Sequence, residues 1–148
     1  MDYRVNLPER TELHDDVANT IQWAASKLQT ELAKIAKEAG LSLPQYSVLR
    51  ILNQANDALS CSEIAARMIA RDPDITRLID KLEKSGMVAR ERCGKDRRVI
   101  RSVITEQGAE LAKRVNHGVS KLHRDVFAPL EDQHLHTVRD RLRNLRLK

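Results

Sequence analysis

Apolar residues recur along the N-terminal stretch at Leu13, Val17, Ile21, Ala24, Leu28, Leu32, Ile35 and Ala39, in steps of three and four. That spacing draws one stripe down a long helix, and Gly40 stands where a helix end takes its glycine. Trp23 lies off the stripe, which predicts a second buried face against another element or another subunit. Leu43-Pro44 opens a further helix with Tyr46, Leu49, Ile51 and Leu52 as its apolar contacts and Pro44 in its first turn. Asn53 to Leu59 reads as a loop.

Ser60-Cys61-Ser62-Glu63 has the Ser-x-x-Glu form of a capping box and predicts a short helix through Met68, with Ile64, Ala65 and Met68 inward. Asp72-Pro73-Asp74 is a second start signal, a capping Asp followed by Pro at the first helical position. The helix it opens points Ile75, Leu78, Ile79 and Leu82 inward and closes at Ser85-Gly86. Its outward residues are Asp74, Thr76, Arg77, Asp80, Lys81 and Lys84. Two short helices on a tight connection make a helix-turn-helix candidate. Met87 to Cys93 and Val99 to Ile104 then pair as strands across a Gly94-Lys95-Asp96 tip, and helix, helix, hairpin is the order of a winged helix-turn-helix.

After Thr105, a capping residue, a long helix carries Leu111, Val115, Val119, Leu122 and Val126 until Pro129 breaks it. A last helix carries Leu135, Val138, Leu142 and Leu145. The end helices hold more apolar surface than one small winged helix covers. The expected architecture is therefore mainly α: a winged helix-turn-helix with its hairpin wing at 41–108, and N- and C-terminal helices in 1–40 and 109–148 forming a dimerisation layer.

Charge sharpens this picture. The stretch from Arg90 to Arg101 sets Arg90, Arg92, Lys95, Arg97, Arg98 and Arg101 against Glu91 and Asp96, a local +4 out of a formal +5 for the 148-residue chain. A basic hairpin beside a helix-turn-helix is the footprint of a duplex-DNA binder, because neutralised phosphates release their counterions. Four aromatics, Tyr3, Trp23, Tyr46 and Phe127, are too few for the stacking platforms of RNA and single-strand binders. No apolar run approaches the roughly 18 residues of a membrane span, and the N-terminus lacks a signal-peptide pattern. A cytoplasmic protein with no membrane partner is expected.

Catalytic chemistry finds little support. Cys61 and Cys93 form neither a disulfide framework nor a zinc motif. The five histidines lack ligand spacing, and His134 and His136, two apart, fall on different faces of a helix. No Ser/His/Asp or Cys/His constellation, Gly-rich phosphate loop or carboxylate pair emerges, so no enzyme, cofactor or metal is expected. Asp72 and Asp74 read as caps. Trp23 and Tyr46 read as core residues.

From Leu59 to Gly108 the chain resembles the MarR family of bacterial transcriptional regulators. The resemblance is carried by Ser62-Glu63-Ile64-Ala65, by Asp74-Ile75-Thr76-Arg77-Leu78-Ile79-Asp80-Lys81-Leu82-Glu83-Lys84-Ser85-Gly86, and by Asp96-Arg97-Arg98 followed by Ile104-Thr105-Glu106-Gln107-Gly108. It implies a homodimer on a pseudo-palindromic operator in double-stranded DNA, a recognition helix in each major groove and a wing in each flanking minor groove. It also implies a small anionic or phenolic effector bound between the dimer layer and the DNA-binding lobes. On this chain the recognition helix would run from Asp72 to Lys84. Thr76 and Arg77 would contact the groove, since Arg can donate two hydrogen bonds to guanine, and Arg71 and Lys81 would meet phosphates. Arg98 would enter the minor groove, where the negative potential is enhanced. Arg90, Arg92, Lys95 and Arg97 would contact the backbone, and Asp96 would hold the wing arginines by a charge-assisted hydrogen bond.

Two departures stand out. The connection Met68-Ile69-Ala70-Arg71 lacks a glycine or small polar residue. Asp74 replaces the usual Ser or Thr and serves the helix dipole, or alternatively accepts from cytosine N4. Two other functions fit the same scaffold. One is a thiol-based redox sensor, with Cys61 in a helix's first turn and Cys93 beside Arg92. The other is a non-specific architectural DNA binder.

Overall fold

The computed structural model describes residues 12–70 and 72–147. Nine elements follow one another: α1 (Leu13–Glu38), α2 (Leu43–Ala55), β1 (Leu59–Ser60), α3 (Cys61–Arg67), α4 (Ile75–Lys84), β2 (Val88–Arg92), β3 (Ile100–Ile104), α5 (Glu106–Phe127) and α6 (Asp132–Arg143). This is the mainly helical winged-helix arrangement expected, with a small antiparallel sheet in the order β1-β3-β2. Among the described residues no helix is long and apolar enough to cross a membrane.

Helix α2 stands at the centre. Tyr46, Val48, Leu49, Ile51 and Leu52 are all buried, and Ser42 and Gln45 begin the helix with a reciprocal capping box, Ser42 N donating to Gln45 Oε1 at 2.8 Å. Around it gather Ile64 of α3, Ile75, Ile79 and Leu82 of α4, Val88 of β2, and Leu111, Val115 and Val119 of α5. Only the C-terminal end of α1 joins this core, through Ala36. The helix runs past the expected loop boundary, so Asn53, Gln54 and Ala55 are helical and Asn56 ends it in the left-handed region at φ 50°.

The expected loop also hides a strand. Leu59 pairs with Ser102 and Ser60 with Arg101. Two residues are too few to carry an alternating pattern, so only their distant partner β3 reveals them. Ser60 then caps α3, its N–H donating to Glu63 Oε2 at 2.7 Å and its Oγ accepting from Glu63 N. The Ser60 N–H and hydroxyl, with Arg101 nearby, hold the Glu63 carboxyl below the usual range.

The wing hairpin forms within the expected strands, each a little shorter than read, and runs in register from Val88 opposite Ile104 to Arg92 opposite Ile100. Its return leads into a tight junction. Thr105 N donates to Met87 O at 3.1 Å, Thr105 Oγ1 donates to Gly86 O at 2.7 Å, and the same Oγ1 accepts from Gly108 N at 3.1 Å. Gly108 is there because nothing larger fits: a Cβ would stand 2.1 Å from Met87 O. A backbone oxygen cannot move aside as a flexible side chain can.

Gly108→Ala should therefore destabilise the protein by about 3 kcal/mol, at the upper end of overpacking costs, against a few tenths for Gly94→Ala at the open wing tip. Urea midpoints of the two variants check this, and equal midpoints would refute the junction's role.

Candidate nucleic-acid interface

The surface expected to meet DNA has two parts, α4 and the wing. Helix α4 begins at Ile75, two residues later than the Pro73 start the sequence suggests. Asp72 Oδ1 accepts from Asp74 N at 2.8 Å, and Asp74 Oδ1 in turn accepts from Arg77 N at 3.3 Å. The first contact is a local turn that competes with helix, so the cap passes from Asp72 to Asp74. Asp74 thus has the helix-end role preferred for it. Met68 closes α3 in an extended conformation (φ −72°, ψ 133°), which is why the connection manages without glycine. Arg71 lies outside the described residues.

On α4, Ile75, Ile79 and Leu82 face the core while Thr76, Arg77 and Lys81 are exposed. Neither Arg77 nor Lys81 forms an ion pair among the described residues. Both are left as available donors.

The wing's basic residues divide into two groups. Arg92, Lys95, Arg97 and Arg98 have no carboxylate partner among the described residues. Arg90, expected at the DNA backbone, instead binds α4: Nη2 donates to Asp80 Oδ1 and Nη1 lies 3.0 Å from Glu83 Oε2. Arg101 folds inward across β1, with Nη1 donating to Ala58 O at 3.2 Å and Nη2 lying 3.8 Å from Glu63 Oε1. Sequence reasoning missed both pairings, because the partners lie seven and more positions away on other elements and no short-range spacing links them.

Asp96 also acts differently from expectation. Its Oδ1 accepts from the backbone N–H of Arg98 at 2.9 Å, and Val99 N donates to its carbonyl at 3.1 Å. It supports the wing by shaping the tip's backbone, with no guanidinium pairing among the described residues. Of the wing arginines it was expected to hold, Arg92, Arg97 and Arg98 have no carboxylate partner among the described residues, and Arg90 pairs with α4 instead.

The two cysteines are free thiols with separate surroundings. Cys61 opens α3 as expected, but its side chain packs against the hydrophobic core. Cys93 sits at the wing turn, where the N–H groups of Lys95 and Asp96 point at its sulfur and Arg101 adds attraction; together they push its thiol pKa down. Tyr46 is a core residue, as read from the sequence: it is 3% exposed, its hydroxyl donates to Asn116 Oδ1 at 3.3 Å, and burial raises its pKa. Trp23, expected in the core, is 41% exposed, so the second face of α1 stays partly open among the described residues.

Comparison with known proteins bears on this geometry. The MarR family model matches residues 41–100, from the start of α2 to the far side of the wing tip. YfiV of Bacillus subtilis (strain 168), an HTH-type transcriptional regulator, is 30% identical over 86% of this chain and 86% of its own. The chain belongs to the MarR family. A second MarR-like relative, the HTH-type transcriptional repressor MdtR of the same organism, is 33% identical over 66% of this chain, and the match spans 62% of MdtR. The fold agrees as well: CouR from Rhodococcus jostii RHA1, solved bound to p-coumaroyl-CoA, superposes with a TM-score of 0.76 at 25% identity, over 90% of this chain and 93% of CouR. These MarR relatives favour a transcriptional regulator over the redox-sensor alternative.

Cys93 should react with iodoacetamide faster than Cys61, with a midpoint below the thiol range of about 8.5. Because its pKa is depressed, the reactive thiolate persists as pH falls below that range. Peptide mapping of both sites across pH measures this; equal rates would contradict the wing-turn geometry.

Proposed function

We propose that this MarR-family protein is a sequence-specific double-stranded DNA-binding repressor acting as a homodimer on a pseudo-palindromic operator. The observation that carries the reading is the juxtaposition of unpaired donors: Thr76, Arg77 and Lys81 on α4 beside Arg92, Lys95, Arg97 and Arg98 on the wing. Unpaired cations are available to phosphates, whereas Arg90 and Arg101 are not. Thr76 and Arg77 are assigned to base edges, Lys81 and the wing's Arg92, Lys95 and Arg97 to the backbone, and Arg98 to the minor groove. Asp74 and Asp96 are assigned to holding the two elements in shape. This reading gives the chain no catalytic role.

The dimer reading rests on apolar side chains that are exposed among the described residues. Leu13, Val17 and Trp23 on α1, Val126 and Phe127 on α5, and Val138 and Leu142 on α6 are all exposed, and α6 has no buried residue. A helix with an apolar stripe and nothing buried needs a partner. In this reading segments 1–40 and 109–148 join two copies, and 41–108 engages DNA. Likeness to CouR, solved bound to p-coumaroyl-CoA, supports a small anionic or phenolic effector.

Gel-shift competition on the DNA upstream of the protein's own gene, against excess random duplex, tests the central claim. Arg98→Ala should weaken operator binding by more than ~1 kcal/mol, while Lys95→Ala should weaken all duplexes alike and reduce the salt slope by about 0.9. Binding that random DNA abolishes would point to a non-specific architectural role. In sedimentation, Val138→Glu with Leu142→Glu should shift the protein from dimer to monomer; an unchanged dimer would move the interface elsewhere.

A further inference from the structure

Arg90 reaches from β2 to α4 and grips two carboxylates at once. Asp80 and Glu83 stand three residues apart on that helix, a spacing that sets them side by side. Two adjacent acceptors suit the forked donors of a guanidinium. The Arg90 side chain is 29% exposed, and its backbone lies opposite Ser102, which is 2% exposed. A forked, partly desolvated contact to two partners differs from the mobile surface pairs that contribute little.

We propose that Arg90 is a positioning residue which, through Asp80 and Glu83, locks the wing to the recognition helix so that the unpaired cations of both elements meet the duplex in one register. The proposal rests on the DNA-binding reading above. Its mechanical basis is the chain path. β2 leaves α4 through Ser85, Gly86 and Met87 and is the edge strand of the sheet, paired with β3 on one side and with no strand on the other among the described residues. Beyond the junction at Met87, Arg90 ties the middle of this strand to the C-terminal half of α4. A preformed register spares the ordering cost that a loose wing would meet on binding. There is an electrostatic effect too. Asp80 and Glu83 share α4 with Arg77 and Lys81, and without Arg90 their charges would repel phosphates.

A mutant cycle on the full chain tests this, using the duplex that the wild-type protein selects from a randomised pool. Arg90→Ala and the pair Asp80→Asn with Glu83→Gln should each weaken binding about tenfold, and the triple variant should be no weaker than Arg90→Ala, since both remove one coupled contact. Arg90→Lys keeps the charge but loses the fork, and should fall between wild type and Arg90→Ala. If Arg90 instead touches DNA, the acid-to-amide pair will tighten binding and Arg90→Ala alone will lower the salt slope by about 0.9; that pattern overturns the proposal. Amide hydrogen exchange supplies a readout without DNA. Arg90→Ala should speed exchange in β2 and β3 while α2 stays protected. Equal acceleration in α2 would mean a general loss of stability and would also overturn it. If the wild-type protein selects no duplex, the DNA reading fails, and exchange alone decides whether the brace exists.

Discussion

Around Met87 the recognition helix ends, the wing begins and returns, and α5 starts, and one set of hydrogen bonds ties them together. Met87 N donates to Leu82 O at 2.9 Å while Gly86 turns at φ 77°, so α4 is closed as β2 departs. Thr105 then gathers the returning strand through Met87 O and Gly86 O and caps α5 through Gly108. These bonds fix where the wing starts and ends relative to both helices. The space between Met87 O and Gly108 is closed to any side chain, so the junction has little freedom to adjust. The Thr-x-x-Gly ending of the wing is the local chemistry of that meeting point.

Around this junction the fold sorts like charges into unlike roles. Arg90 to Arg101 looks uniform as sequence, a run of basic residues at a hairpin. In three dimensions Arg90 faces two acids of α4 and Arg101 faces Ala58 O and Glu63, while Arg92, Lys95, Arg97 and Arg98 face no acid among the described residues. The separation follows from strand geometry. Alternate residues of the hairpin point to opposite faces: Arg90, opposite Ser102, reaches α4, Arg101, opposite Glu91, reaches Ala58 and α3, and Arg92, Lys95, Arg97 and Arg98 lie farther towards the tip. Cationic density is thereby concentrated at the wing's end.

The helical periodicities were legible because each reports burial inside a single element. The α2 and α4 stripes, the Ser60–Glu63 capping box and the Thr105 cap are local patterns, and each stands where the sequence puts it. Failures fell where partners are remote or where two local signals compete. Strand β1 exists only because β3 pairs with it, and α2 outlasted its reading because the polar run from Asn53 resembles loop. At α4 two aspartates on either side of Pro73 each offered a cap, and the first was captured by a turn.

The sequence by itself determined which segments are helical, which faces of them are apolar, where the basic hairpin lies and, through its motifs, the family. Those properties depend on spacing along the chain, with a reach of about four residues. Only the tertiary structure decided which cations are free and which are tied, that Asp96 acts through Arg98's backbone, and that Gly108 abuts Met87 O. Arg90 with α4, Arg101 with Ala58 and Gly108 with Met87 join groups beyond that reach, and even the short Asp96–Arg98 contact depends on how the hairpin tip is turned; distance and burial of this kind are not encoded in a linear pattern.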